Sequence, residues 1–136
     1  MYDEQMVSPM RKELTDSGLV EARTAAEVDE LIKSNTTVLA VINSVCGCAA
    51  ANARPAVSLA MGNGKLPVKS FTVFAGNDAE AVAKLRENLI GYPPSSPNIA
   101  LFKNGEVVCN IERHDIEGRR AEEIANDIIK AFDENC

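Results

Sequence analysis

The chain has 136 residues, of which 46% are hydrophobic and 25% charged, with a formal net charge of −6. That length predicts one compact domain able to bury roughly two-thirds of its unfolded surface. The acidic balance, with no lysine or arginine cluster, argues against nucleic acid as a partner. The N-terminal stretch MYDEQMVSPMRKEL lacks the basic and apolar regions of a leader, and no window reaches the roughly eighteen apolar residues of a membrane span, so a cytoplasmic protein without membrane contact is expected.

In chain order, Met6 to about Gly18 reads as a short helix around MRKEL, stopped by the glycine. A clearer helix starts at Thr24, where Thr24 and Glu27 make a capping box and Val28, Leu31 and Ile32 share one face, and it should end near Ser34. Residues 1 to about 35 thus form a helical N-terminal extension to the rest of the domain. Val38 to Ile42 is a continuous β-favouring apolar run, the pattern of a strand buried on both faces. The tripeptide Cys46-Gly47-Cys48 follows, then an alanine-rich helix from about Cys48 to Met61, kinked at Pro55 and stopped by Gly62-Asn63-Gly64.

The second half repeats the alternation. Val68 to Phe74 reads as a strand, and Gly76-Asn77-Asp78 supplies a turn and N-cap for the helix AEAVAKLRENLI, which Gly91 ends. After the rigid loop Tyr92-Pro93-Pro94-Ser95-Ser96-Pro97, the strand Asn98 to Lys103 runs into the hairpin signal Asn104-Gly105 and a partner strand from Glu106 to about Ile111. Alternation puts Val107 and Cys109 on one face of that strand and Val108 on the other. An amphipathic helix from about Arg119 to Phe132 closes the chain, with Ile124, Ile128, Ile129 and Phe132 at helical spacing.

Four cysteines, Cys46, Cys48, Cys109 and Cys136, are too few for a stapled secreted scaffold and point to catalysis or metal binding. Two thiols one residue apart at a strand-to-helix junction suit redox chemistry. Helix amides stabilise a thiolate, and the thiolate is the species that attacks a disulfide. A disulfide closed across a single glycine is a tight ring, expected to pull its Cα atoms from the relaxed arrangement and to be comparatively easy to reduce.

The element order resembles the thioredoxin fold: α/β, with a central mixed sheet of about four strands flanked by helices. The segment SPNIALFKNGE, Ser96 to Glu106, is similar to the thioredoxin stretch in which a cis-proline opens a core strand. The resemblance places Pro97 at that proline, beside the cysteines, with the backbone at Ser96 able to pair with an extended substrate. The sequence does not fix the isomer. Two thioredoxin features are missing: no tryptophan precedes the cysteines, and VLAVI carries no buried acid.

A closer likeness covers nearly the whole chain. NSVCGCAAANARPAV (Asn43 to Val57), the YPPSSP loop, RHDIEG (Arg113 to Gly118) and the terminal cysteine resemble the bacilliredoxins, small bacterial proteins that remove bacillithiol from protein mixed disulfides. The resemblance implies bacillithiol as co-substrate with no bound cofactor, bacillithiolated or disulfide-containing proteins as partners, and a flavoprotein disulfide reductase to regenerate the site. It also gives Cys136 the option of an alternative resolving thiol, against that of an inert tail thiol.

Cys46, the first of the pair, is the expected nucleophile and Cys48 the resolving thiol, with Gly47 giving room for a tight turn and close backbone approach. Ser44 and Asn43 can donate to the thiolate or cap the helix. Arg54 can attract a substrate carboxylate or be a solvated or salt-bridged helix residue, His114 can shuttle protons or be a surface residue, and Cys109 reads as a small core residue. Two other readings stay open: a general disulfide isomerase or reductase using another low-molecular-weight thiol, and a metal site drawing on the cysteines with His114. The lack of a second close cysteine pair argues against the metal.

Overall fold

The computed structural model describes residues 1–136. A five-stranded mixed sheet lies between two layers of helices. Its middle strand, β2 (Thr37–Asn43), has all seven residues buried, as the apolar run predicts. On one side it pairs in parallel with β3 (Lys69–Phe74), which in turn pairs with the two-residue edge strand β1 (Val20–Glu21). On the other it pairs antiparallel with β4 (Asn98–Lys103), which forms a hairpin with β5 (Glu106–Ile111). The order is therefore β1-β3-β2-β4-β5, one strand more than expected.

Alternation along β2 divides the apolar residues into two cores. Leu39 and Val41 face a cluster that includes Leu14, Val57, Ile128 and Phe132, under helices α1 (Glu4–Thr15), α3 (Arg54–Ala60) and α6 (Ala121–Asn135). Val38, Ala40 and Ile42 face Val28, Ile32, Val82 and Leu85, under α2 (Ala25–Ile32) and α4 (Ala79–Glu87). The Thr24–Glu27 capping box is present at the start of α2. No helix is long and apolar enough to cross a membrane.

Residues 1–35 are more than a helical extension, because β1 joins the sheet and both neighbouring helices cover it. Helix α1 starts earlier than predicted, with Asp3 accepting from the Gln5 amide as its cap. A buried ion pair fastens it. The Arg11 guanidinium, 3% exposed, donates to both carboxylate oxygens of Asp78 at 2.8 and 2.9 Å and lies 5.2 Å from the centroid of the Phe74 ring. Asp78 accepts from the Phe74 amide as well, so its side chain is not the helix cap its position implied. At the turn before it, Gly76 has φ +94° with the Tyr2 ring 2.8 Å from where a Cβ would sit, a place only glycine fits.

Three further expectations change. The helix after the cysteines is split: a π-helical turn, Ala49–Ala53, comes before α3, and Pro55 stands in the first turn of α3 rather than kinking a continuous helix. Widening the ladder ahead of the proline avoids the clash its ring would make with the carbonyl four residues back. In the hairpin the register shifts by one: Leu101 faces Cys109, but Phe102 faces Val107, leaving Val108 as a bulge. Val107 and Cys109 therefore pack on opposite cores, the reverse of simple alternation. Finally, RHDI forms a short helix, α5 (Arg113–Ile116), and α4 stops at Glu87, three residues before Ile90, which is 87% exposed.

Candidate active site

The cysteine turn leaves the C-terminal end of β2, where the buried strand has brought the chain to the edge of the sheet. Cys46 and Cys48 are joined as a disulfide with a Cα–Cα separation of 5.3 Å. That separation lies inside the ordinary range for disulfides, so the Cα atoms are not pulled from a relaxed spacing as expected. Gly47 is exposed, has no left-handed backbone angle, and a Cβ there would meet nothing within 4 Å. The ring itself therefore does not require glycine, contrary to the steric reading of the sequence.

The two sulfurs differ in access. Cys48 is buried, 6% exposed, within the α1/α3/α6 core, whereas Cys46 is only partly covered at its margin. The amide of Cys48 donates to Cys46 Sγ at 3.3 Å, and the Cys46 carbonyl accepts from the amides of Ala49 and Ala50. Cys46 thus sits at the opening turn of the helical segment, with a backbone N–H aimed at its sulfur. That arrangement favours the thiolate once the disulfide is reduced.

A polar lattice supports the turn from beneath. Ser44 Oγ accepts from the Cys46 amide at 3.0 Å, so Ser44 caps the turn rather than donating to sulfur. Asn43 Oδ1 accepts from the Ser44 amide, and Asn43 Nδ2 donates to the Met10 carbonyl on α1. Arg54, 4% exposed, donates through Nη1 to Asn43 Oδ1 and to the Ser44 carbonyl and pairs through Nε with Glu13 of α1. It is salt-bridged and buried, out of reach of a substrate carboxylate.

Pro97 follows a cis peptide bond at Ser96. Because Asn98 pairs with Ile42, Pro97 stands level with Asn43, at the end of the sheet where the cysteine turn departs. The loop before it is pinned: Ser95 Oγ donates to the Pro97 carbonyl and accepts from the Arg113 amide, and Arg86 reaches the Ser95 carbonyl.

The remaining candidates lie elsewhere. Cys109 is half-buried in β5 opposite Leu101, where burial, then Asp127 and Glu134, push its thiol up. Cys136 is exposed beside Thr37, at the beginning of β2, while Cys46 lies past its end. His114 is exposed on α5 with Glu112 and Asp115 at 3.3 and 3.5 Å, a cluster that includes no cysteine. The thiols and His114 are thus not gathered into one ligand set. Glu13 and Met10 as supports of the site had no local signal in the sequence. Their contacts join positions more than thirty residues apart.

Comparison with known proteins gives a consistent picture. A sequence model of the disulphide isomerase family matches residues 2–136. A bacilliredoxin of Salinibacter ruber is 53% identical, with 99% of this chain and 81% of the relative covered. A bacilliredoxin of Cytophaga hutchinsonii is 51% identical over 98% of this chain and 99% of the relative. Among solved structures, a putative oxidoreductase with a thioredoxin fold superposes with a TM-score of 0.63 at 15% identity, covering 82% of this chain and 94% of that one. Thioredoxin from Fasciola hepatica does so with a TM-score of 0.58 at 19% identity, covering 84% and 99%. The fold is that of the thioredoxins.

Proposed function

The chain belongs to the disulphide isomerase family of thiol-disulfide oxidoreductases, its relatives here being bacilliredoxins, and on that premise we propose that it removes bacillithiol from protein mixed disulfides through Cys46. The observation that carries the assignment of roles is the asymmetry of the pair. The accessible Cys46 receives an amide hydrogen bond at sulfur, and Cys48 is buried directly behind it.

In the reduced protein the Cys46 thiolate attacks the bacillithiol sulfur of the substrate. The substrate sulfur leaves as thiolate and takes a proton from solvent, and bacillithiol stays on Cys46 as a mixed disulfide. Cys48, deprotonated, attacks Cys46 Sγ and expels bacillithiol, which leaves the Cys46–Cys48 disulfide of the resting oxidised form. Two electrons from a flavoprotein disulfide reductase or from further bacillithiol return the site to dithiol. The backbone of Ser96, which makes no hydrogen bond within the chain, supports an extended substrate strand lying beside Pro97. Disulfide-containing proteins are then the partners, bacillithiol is the co-substrate, and the reaction runs in the cytoplasm.

The test uses a model protein carrying bacillithiol on its thiol, with the same protein carrying glutathione as comparator. Wild type releases bacillithiol; Cys46→Ala does not; Cys48→Ala stalls with bacillithiol on Cys46, visible as a mass adduct. Equal release by wild type and Cys46→Ala removes Cys46 as nucleophile. Equal rates on the two substrates remove the preference for bacillithiol.

A further inference from the structure

β2 carries no acidic residue, and what lies behind the cysteine turn is a buried cation. Arg54 is 4% exposed and two turns of helix beyond Cys46, yet its guanidinium reaches back to the end of β2. Nη1 donates to the Ser44 carbonyl at 2.7 Å and to Asn43 Oδ1 at 3.0 Å, while Ser44 Oγ holds the Cys46 amide at 3.0 Å. One residue therefore fixes both the main chain and the side-chain partner of the segment that presents Cys46. A charge placed there without water is expensive unless matched. The match is Glu13 on α1, whose carboxylate is half exposed.

We propose that Arg54 is a positioning residue for the Cys46 thiolate, clamping the end of β2 and supplying positive charge behind the turn, and that Glu13 offsets part of that charge. The proposal rests on Cys46 being the nucleophile. The other charged groups around the turn are matched or directed elsewhere: Arg86 has no carboxylate partner, but its bond ends on the Ser95 carbonyl in the loop before Pro97. Arg11 and Asp78 neutralise each other at Phe74, the β3 residue opposite Asn43. Arg119, whose carbonyl accepts from Asn52 on the π-helical turn, is paired with Asp127. Beyond Pro97, Arg113 is paired with Glu117, and His114 lies between Glu112 and Asp115. Arg54 is the cation whose bonds end on the cysteine turn itself.

The experiment is the pH profile of alkylation in the reduced full-length protein, with the modified cysteine identified by mass spectrometry. In wild type, Cys46 should react first; if another cysteine does, the nucleophile assignment fails before Arg54 is tested. Arg54→Met should move the midpoint of Cys46 alkylation up and slow the reaction near neutral pH by roughly three- to tenfold, a tenfold change being one pH unit of midpoint. Glu13→Gln should move the midpoint down, because it leaves Arg54 in place and removes the opposing charge. A loosened clamp would move both variants the same way, so opposite signs separate electrostatic positioning from loss of structure. If Arg54→Met does not fold, Glu13→Gln decides alone. An upward or absent shift in Glu13→Gln overturns the proposal, as does an unchanged midpoint in folded Arg54→Met.

Discussion

At the scale of single residues, the sequence singles out Cys46 and Cys48 for chemistry and reads Cys109 as a small core residue, and the surroundings of these thiols differ in kind. Cys46 and Cys109 are both partly covered, but Cys46 has an amide at its sulfur, whereas Cys109 faces the α6 side of the sheet across from Leu101 without one. Burial and the nearby Asp127 and Glu134 all favour its protonated form. In the unfolded chain Cys109 ionises at its ordinary value while the folded chain keeps the proton, so its contribution to stability is fully present below that value and is lost as pH rises from there through the raised value of the folded protein. A short iodoacetamide pulse at pH 8 on reduced native protein should modify Cys109 about tenfold or more slowly than the same pulse on unfolded protein. Comparable rates in the two states would show that the β5 thiol is neither shielded nor held protonated.

At the scale of elements, what was legible in the sequence is what depends on neighbours along the chain. The VLAVI run gives β2, the Asn-Gly pair gives the β4–β5 hairpin, and the Thr24–Glu27 spacing gives the start of α2. What depends on partners from far away was not legible. Strand β1 has two residues and exists because Val20 and Glu21 find Phe71 and Thr72. The bulge at Val108 follows from pairing register, and it reverses the face of Val107 relative to Cys109. Asp78 carried a correct local signal for the turn before α4, yet its side chain is claimed by Arg11 from 67 positions away. That pair is the means by which α1 is held to the β3–α4 junction. Arg11→Met leaves a buried carboxylate with only the Phe74 amide as partner, and the expected loss is about 3–5 kcal/mol. Urea unfolding should show a lower midpoint at unchanged slope. A loss under about 1 kcal/mol would mean that Asp78 regains solvent and the pair is not what fastens the helix.

At the scale of the whole molecule, the sheet fixes which thiols can meet. Cys46 emerges past Asn43 at one end of β2, and Cys136 lies beside Thr37 at the other. Six residue steps of strand separate those ends, about 20 Å at ~3.3 Å per residue, whereas bonded sulfurs are about 2 Å apart. Helix α6 carries Cys136 and buries Ile124, Ile128 and Phe132 against the same core that covers Cys48, so moving its end to the cysteine turn means undocking it. Cys136 should therefore not resolve a mixed disulfide on Cys46 within one molecule. In single turnover at dilute protein, Cys136→Ser should release bacillithiol within about twofold of the wild-type rate, and Cys48→Ala should keep its adduct whether or not Cys136 is present. A Cys46–Cys136 disulfide forming in monomeric Cys48→Ala at a concentration-independent rate would show that α6 undocks during turnover, and would give the terminal thiol the resolving role that the family resemblance allows.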